Sequence, residues 1–130
     1  MKKEKIESFE FINMRVSGMR FTNEYEVLMK DDTVEVVLYN IRYRDQKDER
    51  IVELKNTCDK EKMLKLLNDC ELLSWDGFVG NHPKGVHDGI MFNMNGLIND
   101  KKISASGSEN FPKHYREFTD GLMNILKEAE

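Results

Sequence analysis

Tyr25, Val27 and Met29 alternate with Glu24, Glu26 and Lys30, flanked by turn-forming Ser17-Gly18 before and Asp31-Asp32 after. Period two over this length marks a strand with one buried and one wet face, and it commits the first half of the chain to a sheet. Upstream, residues 6–16 carry Phe9, Phe11, Ile12, Met14 and Val16 and read as a first strand. Residues 34–43 differ. Val34, Val36 and Leu38 share one face, while Val37, Tyr39, Ile41 and Tyr43 share the other. A strand apolar on both faces is either covered twice or carries a binding surface. Tyr39 and Tyr43 are therefore candidate interface residues, for a protein partner or for self-association. The charged run 44–49 reads as an exposed loop, and residues 50–55 as a short fourth strand through Ile51, Val52 and Leu54. Connections this short favour antiparallel neighbours.

The pattern then turns helical. A helix is expected to start near residues 56–59 and run to about Cys70, with Thr57 as N-cap and Asp59 and Glu61 in the first turn. Met63, Leu64, Leu67 and Cys70 make its apolar stripe. Residues 74–88, with Gly77, Gly80, Pro83 and Gly85, read as a connection longer than usual, which points toward function. Ile90, Phe92 and Met94 alternate with Met91, Asn93 and Asn95 in a fifth strand. Asn99-Asp100 is a hairpin turn, and residues 102–106 form a sixth strand. Tyr115, Phe118, Leu122, Ile125 and Leu126 recur at helical spacing, with Pro112 suited to the first turn and Asn110 to the cap. Gly121 inside that helix signals close packing. Together these elements predict one α+β domain over residues 1–130, two-layered, with about six mostly antiparallel strands and two helices on one face.

Composition narrows the function classes. With 39% hydrophobic residues in regular patterns beside 34% charged ones, the 130-residue chain is expected to fold without disulfide or metal. The net charge of −4 is spread over interspersed signs, which argues against binding nucleic acid through a basic surface. The basic start of the chain is followed by no apolar run, so neither a signal peptide nor a membrane span is expected. Cys58 and Cys70 fit no CxxC pattern. On one continuous helix they would lie roughly 18 Å apart, beyond the reach of about 7 Å that a disulfide needs. Both are expected to be reduced, which favours a cytoplasmic protein.

Candidate chemistry is sparse. His82, His87 and Asp88, with Asp76 nearby, are acceptable metal ligands, but their spacing matches no tight ligand motif, and no metal or other cofactor is expected. The same His and Asp residues would serve a small hydrolase or ligand-processing enzyme. Asp76, Asp88 and Glu109 are default turn or surface carboxylates. Ser104, Ser106 and Ser108 alternate along a strand as a polar face, without a nucleophile elbow. Trp75, the single tryptophan, reads as a core anchor for the long loop more readily than as a binding hot spot.

One ordered set remains: Trp75-Asp76-Gly77-Phe78, then Asp88-Gly89-Ile90-Met91-Phe92, Ser106-Gly107-Ser108, Phe111-Pro112 and Tyr115. Over residues 74–118 it resembles a group of small uncharacterised bacterial proteins with a W-D-G-F … D-G-x-x-F/W … G-S-x-x-F/Y-P-x-x-Y/F pattern. The resemblance implies no activity and carries over no catalytic role. Physically, Trp75, Phe92, Phe111 and Tyr115 suit one aromatic cluster docking the last helix on the last hairpin. A polar rim with Asp76, Asp88 and Asn110 would then gather around it and offer a place for a ligand or peptide. The expected ligand-side residues are thus Trp75, Asp76, His82, His87, Asp88, Asn110 and Tyr115. The leading expectation is a non-catalytic binding or interaction protein, possible as a homodimer. The enzyme above, and a phage or mobile-element protein blocking a host system, are the alternatives.

Overall fold

A four-strand meander and a later hairpin share one sheet because β1 pairs with both. The computed structural model describes residues 5–18, 21–81 and 89–128. In chain order these residues form β1 (Phe9–Gly18), β2 (Phe21–Lys30), β3 (Thr33–Arg44), β4 (Lys47–Asp59), α1 (Lys60–Asp69), a 3-10 turn (Leu72–Trp75), β5 (Val79–Gly80), β6 (Met91–Ile98), β7 (Lys101–Ser108) and α2 (Tyr115–Lys127). The sheet has seven strands in the order β4-β3-β2-β1-β6-β7-β5, antiparallel throughout except where β5 runs parallel to β7. The α+β reading and the antiparallel bias hold. The strand count is seven where six were expected, since the long connection holds the two-residue β5.

Strand alternation decides the layering. Ile12 and Met14 of β1, Val27 of β2, Val34, Val36 and Leu38 of β3, Phe92, Met94 and Ile98 of β6, and Ile103 and Ala105 of β7 form one core. Met63 and Leu67 of α1 and Phe118, Leu122, Ile125 and Leu126 of α2 belong to the same cluster, so both helices cover this face. At Gly121 an added Cβ would stand 2.5 Å from Leu66 Cδ1, which is the close helix–helix approach that the glycine signalled. Asn56 of β4 fastens the end of α2 by donating to the carbonyl of Ile125 at 2.8 Å.

Three local expectations change. The charged run 44–49 is not a loop. Asp45 and Gln46 take positive φ (52° and 65°) as a two-residue hairpin turn, and β3 and β4 continue through the charges. Arg42 stands opposite Glu49 and Arg44 opposite Lys47 in this ladder, and Asp48 reaches Arg15 at 3.6 Å. The cap of α1 is Asp59, not Thr57, because β4 stays paired with β3 until Thr33 meets Asp59. The last helix begins at Tyr115 rather than Pro112, and Asn110 does not cap it. The Asn110 carbonyl instead packs against Gly80 and Gly107, where an added Cβ would lie 2.5 and 2.0 Å from it. The chain then turns through Pro112, whose carbonyl accepts from Tyr115 N–H, and through His114 at φ 68°.

β4 is a free 13-residue edge, yet it is a poor template for pairing. It carries Lys47, Asp48, Glu49, Arg50, Glu53 and Lys55, and its register slips between Leu54 and Val52 opposite Leu38 and Tyr39. Charges and a bulge are how exposed edges avoid adding strands.

Candidate functional site

On the covered side the aromatic pattern becomes a single cluster. Trp75 is 0% exposed and meets Phe118 edge-on at 5.5 Å and Tyr115 at 6.1 Å. Tyr115 stacks on Phe111 at 4.4 Å, and Phe92 touches both. The indole N–H donates to the Lys113 carbonyl at 3.0 Å, so the buried polar atom is satisfied. Burial pushes the Tyr115 phenol up, helped by Tyr25. Burial, with the charges of Glu117 and Asp69, pushes the Cys70 thiol up to about 11, which leaves it unreactive at neutral pH. Both cysteines are free.

Next to the cluster, His114 is gripped on both ring nitrogens. Nε2 lies 2.9 Å from Glu71 and Nδ1 lies 2.5 Å from Glu117. The carboxylates sit on opposite ring nitrogens and cannot converge on one ion. Among the described residues no three His, Cys, Asp or Glu side chains group to hold a metal.

The other face of the sheet carries no helix. The registers place its side chains in rows. Phe11 faces Leu28 and Leu97, Asn13 faces Glu26 and Asn95, and Arg15 faces Glu24 and Asn93. The rows continue onto β7, with Asn95 opposite Ser104 and Asn93 opposite Ser106. This side divides in two. Over β2–β4 the sheet is roofed by its own charged side chains. Glu24, only 5% exposed, accepts from Asn13 at 3.2 Å and from Arg15 at 3.1 Å and is also paired with Arg50. Arg50 further reaches Glu26 and lies 4.0 Å over the Tyr39 ring, and Arg15 reaches Asp48. Burial alone would raise the Glu24 carboxyl. The hydrogen bonds from Asn13 and Arg15 and the charges of Arg50 and Arg15 outweigh it and hold the group below its usual range. Val37, between Glu26 and Lys55 in its row, is 2% exposed under these long side chains, with Lys55 paired to Glu35.

Over the middle of β6 and β7 no described side chain of another element roofs the open face, and the residues there are uncharged. A trough of about 210 Å³ runs there, lined by Gly77, Phe78, Val79, Asn93–Asn95 and Ser104–Ser106. Its outer wall is built by the segment after Trp75. Asp76 Oδ1 accepts from Ser104 N–H at 3.0 Å, Gly77 N–H donates to the Ser104 carbonyl at 2.8 Å, and Ser106 N–H donates to the Phe78 carbonyl at 3.0 Å. Gly77 turns at φ 81°, a conformation that favours glycine. No hydrogen bond joins the side chains of Asn93, Asn95, Ser104 or Ser106 to any described residue.

Of the expected site residues that are described, Trp75 and Tyr115 meet in the aromatic cluster, and Asp76 and Asn110 make other contacts. Trp75 and Tyr115 are committed to the core, Asp76 binds the edge of β7, and Asn110 is exposed beside Gly80 and Gly107. His82, His87 and Asp88 lie outside the described residues, and with them the hydrolase reading. Tyr39 is half-buried under Arg50, whereas Tyr43 is 73% exposed. The trough was missed because Asn93, Asn95 and the serines read as an ordinary wet face. The signal that could have found it is the spacing Met91-x-Asn93-x-Asn95-x-Leu97, apolar residues bracketing two amides on one strand face.

No family model matches the chain, and no curated protein matches it. No helix of the described residues is long and apolar enough to cross a membrane.

Proposed function

We propose that the chain is a non-catalytic interaction protein whose working surface is the open face of its sheet. The carrying observation is that no described helix lies on this side of the sheet and that it holds, over β6 and β7, a neutral-lined trough whose amides and hydroxyls are unengaged by the described residues. Antiparallel sheets with one wet face are ordinary. A row of unengaged amides inside a concavity is the less common part, and convergent polar groups in a concavity are what binding sites are made of. The aromatic pattern of residues 74–118 serves this reading indirectly, by holding the trough's outer wall in place.

The test is site-specific photo-cross-linking in cells that make the protein, from Ser104 on the open face and from Asn124 on the exposed side of α2. Discrete adducts from Ser104 and none from Asn124 are expected. Absence of adducts from Ser104 overturns the reading.

A second reading is self-association through the β3–β4 end of the same face. Tyr43 and Val52, 73% and 53% exposed, lie there beside Tyr39. Light scattering after size exclusion decides it: a monomer at high concentration removes the homodimer.

A further inference from the structure

We infer that the partner surface taken up by the trough is an extended, uncharged stretch of polypeptide lying along β6. The inference rests on the open face being the binding surface. Its basis is a match of repeats. Asn93 and Asn95 stand two residues apart on one face of β6, and neither amide is engaged by a described residue. Two residues of strand span about 6.8 Å. An extended peptide repeats at the same distance, presenting the N–H and C=O of every second residue to the same side. A primary amide offers one acceptor and two donors in a plane, as a peptide group offers one acceptor and one donor. Each asparagine can therefore take the N–H and C=O of one residue of a passing chain, and two asparagines in register take alternate residues.

The surroundings select against other occupants. The trough, about 210 Å³, is smaller than the roughly 300 Å³ floor of usual small-molecule pockets. Ion-pairing is used up next door: Glu24 is bonded by Asn13, Arg15 and Arg50, so no unpaired buried charge faces the trough from that side. A neutral segment is the complement. Beyond the lining, Leu97 with Phe11 and Lys102 lies toward one end of β6 and 49%-exposed Met91 toward the other. From Met91 to Leu97 is about 20 Å along the strand, the reach of six extended residues. A sugar ring would seek an exposed aromatic face, but the one aromatic ring lining the trough, Phe78, packs toward Phe92 at 6.2 Å.

The experiment is an array of N-acetylated, C-amidated hexapeptides drawn from valine, leucine, threonine and serine, with hits measured in solution against the full chain. An array of neutral oligosaccharides is run in parallel. Expected is a subset of peptides bound by the wild type. Binding should be roughly tenfold weaker or worse for Asn93→Ala with Asn95→Ala, the size of one or two lost net hydrogen bonds. It should be unchanged for Asn124→Ala, with equal thermal midpoints for all variants. Peptide binding that ignores the double substitution overturns the inference. So does saccharide binding that depends on it. If no peptide binds while Ser104 still cross-links in cells, the peptide class fails and the open-face reading stands. If the cross-links also vanish, both fall.

Discussion

The two sides of this sheet are built from the same strands, one residue out of phase, and they solve burial differently. On the helix side, Val27, Val36, Met94 and Ile103 meet helices and aromatic rings, and water is excluded by a second layer. On the open side, Val37 and Glu24 are almost as hidden, but the cover is Arg15, Arg50, Glu26, Lys55 and Glu35 lying across the strands. The first cover belongs to other elements and must be assembled. The second comes with the strands. Where the second cover stops, over the middle of β6 and β7, no described side chain of another element roofs the sheet. The lesson is that an uncovered face is not one surface: its charged half is internally satisfied and its neutral half is available.

The contrast can be broken at several strengths. Trp75→Ala removes the centre of the assembled cover and strands the Lys113 carbonyl, and should cost about 3–5 kcal/mol in denaturant unfolding. Gly107→Ala drives a methyl toward the Asn110 carbonyl and the Phe92 ring, and should cost about 1–3 kcal/mol. A small loss there would show that the 109–114 crossing is softer than the cluster it locks. Glu24→Gln should cost about 1–2 kcal/mol at neutral pH, limited by the solvent around its half-exposed arginine partners. Its sign with pH is fixed by the lowered carboxyl. The stabilisation is complete above the ordinary value of 4.5 and is lost as the pH falls through the folded-state value. The difference between Glu24→Gln and wild type should therefore shrink in urea titrations below about pH 4. Asn93→Ala with Asn95→Ala should move stability by no more than about 0.5 kcal/mol, as for exposed positions with no internal partner. A cost near that of Glu24→Gln would erase the proposed division of the open face.

Much of this fold was readable from period and turn chemistry. The alternation in residues 25–29 and 91–95, the Asn99-Asp100 turn (φ 51° and 63°) and the stripe of α2 all stand, whereas Ile90 lies outside the strand and is exposed. The aromatic cluster was readable because rings at sharp turns and on one helix stripe have few other places to go. The hairpin 44–49 was not, since local composition says loop while the two-residue turn at Asp45-Gln46 and the ladder on either side of it say strand. Nor was β5: two residues carry no period, and only the partnership with Ser106 and Gly107 makes them a strand. The start of α2 was misplaced because the demand that Asn110 lie flat on two distant glycines outweighs the proline signal. The trough was invisible for a related reason. Whether an asparagine is solvated or poised depends on what walls it in, and that wall, Gly77–Val79, comes from another part of the chain.

Strand order also has a consequence in time. The β1–β4 meander is local in sequence and can pair as soon as it leaves the ribosome. Yet β1 is a central strand, and its second partner, β6, begins at Met91. Until then the growing chain carries an unpaired inner edge, with Phe9, Ile12 and Met14 beside it and α1 but not α2 available to cover them. Unlike β4, that edge bears no guarding run of charges. Unfinished chains, rather than finished molecules, are where this protein is open to association with the wrong strand.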